Sequence, residues 1–220
     1  MRTVQLLNSG WSFTDMDGNK AQVNIPHTWN ALDGQDGGND YRRGKCIYEK
    51  RFAAPSFDPE KCRVYLEFDG ANASAEVVLN GKTVATHHGG YATFRCDITD
   101  VLQGENLLRV EVDNSVNDRV YPQKADFTFY GGIYRDVKLL IVHKTHFDLD
   151  YYGGNGLKIT AQTNGSVQVR SWHTGENAQV RITLLDAEEK EVATGYGEDV
   201  MLTIQNPHLW HGTVDPYLYT

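Results

Sequence analysis

At 220 residues the chain has room for one large or two small domains, and its 40% hydrophobic and 23% charged content is ordinary for a globular protein. A formal charge of -8, with no Lys/Arg cluster, argues against a nucleic-acid or anionic-membrane partner. No apolar run approaches the ~18 residues that a membrane-spanning helix needs.

The opening Met1 to Leu7 lacks the apolar core and small-residue cleavage site of a secretory leader. Three cysteines, Cys46, Cys62 and Cys96, are too sparse for a disulfide framework and have no metal-type spacing. Together these features predict a reduced, cytoplasmic protein. The sequons at Asn72 and Asn164 read as chance matches.

No segment sustains a helical period. Before Tyr48 the pattern is loose: Ile25-Pro26-His27-Thr28-Trp29-Asn30 precedes a Gly- and Asp-rich loop, Asp33 to Asp40, which ends at Tyr41-Arg42-Arg43-Gly44. A loop of that length inside a compact domain points to function or mobility. Alternation then dominates. Val64, Leu66 and Phe68 face one way, Tyr65 and Glu67 the other. Ala75 to Leu79 and Lys82 to Thr86 flank Asn80-Gly81, the dipeptide of a type I′ hairpin turn. Leu108, Val110 and Val112 alternate with Arg109 and Glu111 before Asp113-Asn114 ends the strand. Val137, Leu139 and Ile141 form the last long strand of this part.

From His143 onward short strands recur: Leu157 to Ala161, Val167 to Trp172, Val180 to Leu184 and Val200 to Ile204, with a tight turn at Asn164-Gly165. The reading is all-β. A sandwich or jelly roll over residues 1–143 is followed by an immunoglobulin-like sandwich over 144–220. Pro216 to Thr220 looks like the start of a strand with no terminator, so the second sandwich is expected to be cut short and the natural chain to continue.

The stretch Asp126 to Val137 carries the clearest chemistry. Aromatics beside a carboxylate suit a sugar, one offering a flat apolar face and the other an acceptor for hydroxyls; the plainer reading is an aromatic corner with Asp126 accepting turn amides. Gly131-Gly132 implies a positive φ or a close backbone approach. Glu67, Glu76 and Glu111 fall at polar strand positions, which solvated faces explain. Arg42, Arg43 and Arg135 read as ties to carboxylates of the same domain. His27, His87 and His88 show no triad or metal spacing. Trp29 is expected in the core, Tyr91 and Phe94 under the hairpin, Asp97 capping the next turn, and Trp210 closing the second core.

In order along the chain, these segments resemble the N-terminal part of glycoside hydrolase family two, and its β-galactosidases most. The resemblance is carried by Ile25 to Asn30, Tyr41 to Gly44, Leu66-Glu67-Phe68-Asp69-Gly70, Ala75 to Lys82 and His88-Gly89-Gly90-Tyr91. It continues through Phe94, Asp97-Ile98-Thr99, Val112-Asp113-Asn114-Ser115 and Gly131 to Val137, and on to Asn206-Pro207-His208-Leu209-Trp210 and Pro216 to Tyr219. The resemblance implies a sugar-binding jelly roll and an immunoglobulin-like domain ahead of a TIM barrel, whose two glutamates cleave terminal β-galactosides with retention. No barrel lies within these residues, so this stretch alone is expected to be inert.

By the same resemblance Asp126 would accept galactose hydroxyls and help hold a cation, with Asn39 and Asp40 the candidates from the earlier loop. Na⁺ or Mg²⁺ is implied for the whole enzyme and no cofactor for this stretch. The implied partners are the β-galactoside, the downstream barrel and further copies of the chain in a homo-oligomer. The alternatives are another sugar within the family, β-glucuronide or β-mannoside, or a stand-alone carbohydrate-binding module. Asp126 favours galactose, because a glucuronate carboxylate beside it would be repelled unless a cation or arginine intervened.

Overall fold

The computed structural model describes residues 2–33, 41–123, 125 and 129–220. The chain forms two compact units, Met1–Lys144 and Thr145–Thr220.

The first unit holds β1 (Thr3–Leu6), β2 (Trp11–Thr14), β3 (Lys20–Val23), β4 (Lys45–Ala53), β5 (Cys62–Phe68), β6 (Ser74–Leu79), β7 (Lys82–His88), β8 (Phe94–Asp97), β9 (Glu105–Asp113) and β10 (Val137–His143). They make an antiparallel sandwich with sheet orders β3-β2-β4-β9-β6-β7 and β1-β10-β5-β8. Because the side-chain period is two, β9 turns Leu108, Val110 and Val112 inward and leaves Arg109 and Glu111 outside. The inward sets of both sheets meet in one core with Trp11, Tyr48, Leu66, Phe68, Val77 and Leu139. The β6–β7 turn has φ of 52° at Asn80 and 82° at Gly81, the two positive values of a type I′ turn. Asp97 Oδ1 accepts from the Thr99 backbone N–H and hydroxyl at the entry to the short turn Thr99–Val101, whose N-cap position is Ile98 and not the expected Asp97.

Glu67 departs from its expected solvated position: it is 4% exposed. The cause lies in the register, since β5 is flanked by β8 and β10 and Glu67 pairs with Arg95 on one and Lys138 on the other. Arg95 Nε donates to one carboxylate oxygen, Lys138 Nζ lies 3.3 Å from the other, and Arg2 Nη2 lies 3.5 Å away. Burial by itself would raise the Glu67 pKa, but the hydrogen bonds and charges of Arg95 and Lys138 outweigh it and lower it. The cysteines are free thiols, two of them buried, and burial pushes Cys46 up to about 11.

The second unit holds β11 (Leu157–Ala161), β12 (Ser166–Ser171), β13 (Arg181–Leu185), β14 (Glu191–Tyr196) and β15 (Asp199–Thr203), in sheets β11-β12-β15 and β13-β14. Val167, Val169, Leu184, Val200, Leu202 and Ile204 form its core. Strand β14 had no sequence signal, because its residues are polar, small or exposed. Its Gly195 is nonetheless required, since a Cβ there would stand 2.5 Å from Val200 Cγ1. Trp210 does not close this core; it is 63% exposed. Tyr219 packs there instead, its hydroxyl accepting from His208 N at 2.9 Å, and Thr220 exchanges both backbone hydrogen bonds with Leu185.

Glu67→Ala should cost about 3–5 kcal/mol of unfolding free energy, because it leaves a buried arginine without this carboxylate. A folded pKa below the unfolded one gives stability that is present above the ordinary carboxylate range and lost as pH falls through the folded value. Denaturant unfolding from pH 7 down to pH 3 should therefore show the wild type converging on Glu67→Gln at the acid end.

Candidate functional site

The loops at one pole of the first sandwich are stitched together by buried asparagines. The arm Ile25 to Asn30 runs beside residues 131–133, with His27 N donating to Ile133 O at 2.8 Å and Trp29 N to Gly131 O at 3.3 Å. From the other side Asn72 exchanges backbone hydrogen bonds with Gly132, at 3.0 and 3.2 Å. Side chains finish the pairing. Asn30, 1% exposed, donates to Phe129 O at 2.9 Å and accepts from Gly131 N at 2.8 Å, while Asn72 Nδ2 reaches Tyr130 O at 2.9 Å. A buried loop must satisfy its backbone somewhere, and here asparagine amides take the place of a strand ladder.

This crowding explains the double glycine. A Cβ on Gly131 would fall 2.5 Å from Trp29 Cζ2, and one on Gly132, at φ +122°, would fall 2.6 Å from Tyr48 Oη. The expected close approach and positive φ are both present.

The Tyr41 to Gly44 motif ties in next. Arg42 N donates to Asp33 Oδ2 at 2.6 Å and its guanidinium meets Asp17 at 2.8 Å, the expected structural tie to a carboxylate. Arg42 O accepts from Trp29 Nε1 and Asn114 Nδ2, and Asn114 Oδ1 accepts from Gly44 N at 2.8 Å. Arg43 departs from the carboxylate expectation: it donates to the carbonyls of Asn114 at 3.4 Å and Gln123 at 3.0 Å, and lies over the Tyr41 ring. Arg135 likewise serves the carbonyls of Asp69 and Tyr91. Tyr41 meets Phe129 edge-on at 6.3 Å. Arg43, Asn72, Asn114, Val120, Gln123 and Phe129 line a small cleft between these anchors.

The sequence-derived site residues Asn39, Asp40 and Asp126 lie outside the described residues. What is described is how their two loops are rooted. Asp33 and Tyr41 flank the first, Gln123 and Phe129 the second, and Tyr41, Asn30 and Arg43 join the two roots. The sequence assigns Asn30, Asn72 and Asn114 no anchoring role; asparagine is common in loops, and only their distant partners mark them as anchors.

The described side chains supply no obvious reacting group here. His27 Nδ1 lies 2.8 Å from the Tyr48 hydroxyl, and burial lowers the His27 pKa, so it stays neutral at pH 7. His87 stacks on Phe94 at 4.3 Å; Phe94 is buried as expected, whereas Tyr91 is 45% exposed. Glu111 pairs with Lys45 and Arg109, and Glu76 accepts from Thr83. Among the described residues no group of three or more His, Cys, Asp or Glu could hold a metal ion. The described residues thus do not by themselves make a cation site.

A two-sheet sandwich with loops gathered at one pole and aromatics at their roots has the form of a carbohydrate-binding domain. The family profile "Glycosyl hydrolases family 2, sugar binding domain" matches residues 31–143, and the chain belongs to that family. A β-glucuronidase of Bacteroides fragilis is 34% identical, over 97% of this chain and 34% of the relative. A β-galactosidase of Thermoanaerobacter pseudethanolicus is 28% identical, over 97% of this chain and 30% of the relative. The crystal structure of an FMN-binding β-glucuronidase from Faecalibacterium prausnitzii L2-6 superposes with a TM-score of 0.89 at 38% identity, covering 100% of this chain and 36% of that one. The chain therefore spans about a third of the length of these relatives.

Asn30→Ala should lower stability by about 1–3 kcal/mol, the cost of stranding a buried amide and carbonyl. Gly132→Ala should cost at least as much, through positive-φ strain and contact with Tyr48. Thermal unfolding of the 220-residue chain checks both.

Proposed function

We propose that this chain is the pocket-walling portion of a retaining β-glycosidase that releases a terminal β-linked D-glucuronate. The observation that carries the reading is the rooting of two loops in one partly buried Asn30–Arg43–Phe129 cluster in a member of this family. A pole so densely hydrogen-bonded, with no reacting group of its own among the described residues, suits holding a sugar for chemistry done elsewhere. The two glutamates of a double displacement, about 5–5.5 Å apart, would come from a downstream barrel.

Asp126 would accept hydroxyls of the terminal sugar, with Asn39 or Asp40 contributing from the neighbouring loop; a carboxylate there also suits a hard cation such as Na⁺ or Mg²⁺. The glucuronide preference rests on the names of the relatives at 34% and 38% identity. A β-galactoside is the second reading, supported by the β-galactosidase relative and by Asp126, a carboxylate poorly suited to an anionic sugar unless a cation stands nearby.

The full-length enzyme should hydrolyse 4-nitrophenyl β-D-glucuronide with a kcat/KM at least tenfold above that for the β-D-galactoside, and the reverse order would establish the second reading. Asp126→Ala should lower kcat/KM by about 100-fold, as expected for losing a charge-assisted hydrogen bond, without moving the thermal midpoint. Wild-type-like kinetics in that variant would remove Asp126 from the pocket.

A further inference from the structure

The loop leading into the Asp126 segment carries a guanidinium that the proposed function has not used. Its backbone is fixed: Asn117 Oδ1 accepts from Arg119 N and Val120 N, each at 2.9 Å, and Gln123 Nε2 returns to Val120 O at 2.8 Å. Arg43 clamps the far end at Gln123 O. Arg119 therefore stands on a braced turn at the root of the segment that carries Asp126.

Its side chain is braced too. Arg119 Nη1 lies 3.0 Å from His88 Nε2, and His88 Nδ1 lies 2.9 Å from the hydroxyl of Ser74, its cross-strand partner. A guanidinium has donors and no acceptor, so His88 Nε2 must accept and the imidazole must be neutral, with its proton on Nδ1 toward Ser74. In that tautomer His88 cannot act as a base toward Ser74. It acts as an uncharged strut that orients a full positive charge at an exposed position.

Among the described residues Arg119 has no carboxylate within ion-pair distance, unlike Arg42 with Asp17 or Arg95 with Glu67. Arg43 and Arg135 at the same pole also lack carboxylates, but both direct their donors to backbone carbonyls. Arg119 is left with donors to offer, in a chain whose formal charge is -8. An arginine fork held in place is the geometry that recognises a carboxylate in bidentate fashion. It would also offset the repulsion between Asp126 and an anionic sugar.

We propose that Arg119, oriented by His88 and Ser74 at the root of the Asp126 loop, contacts the carboxylate of a uronic-acid glycoside and so sets the sugar preference. This rests on the glycosidase reading of the chain.

The test is steady-state kinetics of the full-length enzyme on 4-nitrophenyl β-D-glucuronide. Arg119→Gln should raise KM about 10- to 100-fold while kcat changes less than about threefold, and Arg119→Lys, which keeps the charge and loses the fork, should recover part of the loss. A thermal midpoint shared with the wild type separates lost contact from lost folding, and Arg119→Lys carries the test if Arg119→Gln does not fold. An unchanged KM in the variants, whatever happens to kcat, overturns the assignment while leaving the glycosidase reading intact. A wild-type enzyme that cleaves β-galactoside and no glucuronide overturns the glucuronide reading and this inference with it.

Discussion

The pairing of residues 129–133 between the Trp29 arm and Asn72 is the constraint that holds the loop-bearing pole together. A chain passing through a packed interior brings its amides and carbonyls with it, and each left unmatched costs stability. Here the segment is matched by backbone on two sides and by two asparagine side chains, with no regular strand involved. So close a fit requires glycine at 131 and 132, with a tryptophan laid against the first and a tyrosine hydroxyl against the second.

That close fit has a functional consequence. A binding residue on a long loop is only as well placed as the points where the loop joins the fold. Both candidate sugar-contact loops join it at one partly buried cluster, in which Arg43 bridges the Gln123 carbonyl and the Tyr41 ring while Tyr41 meets Phe129. The motif residues of this pole thus serve position more than contact.

The charges of the first sandwich obey the same logic of partners set by register. Glu67 sits across from Arg95 and Lys138 because β5 pairs with β8 and β10 in that alignment, and a one-residue slip of β5 would turn Glu67 to the other face, away from both partners. Burying such a cluster is not in itself strongly stabilising, but losing one member is costly, so the cluster acts mainly as a constraint on register. Arg119 and His88 show the opposite arrangement, a cation braced by a neutral partner and, among the described residues, left without an opposing charge.

Features that depend on neighbours along the chain were legible in the residues themselves. Alternation located β5, β9 and β10, Asn80-Gly81 set the β6–β7 hairpin, recurring short strands marked β11, β12, β13 and β15, the double glycine announced a crowded backbone, and the ordered motifs identified the family. Which polar and aromatic side chains are enclosed emerged only from the folded arrangement. Glu67 is buried by two strands from elsewhere in the chain, Asn30 is satisfied by a backbone amide 101 residues away, and Trp210 is left outside while Tyr219 takes the core position. Burial and hydrogen-bond satisfaction are properties of who arrives alongside, and residue type and spacing carry no record of partners so distant.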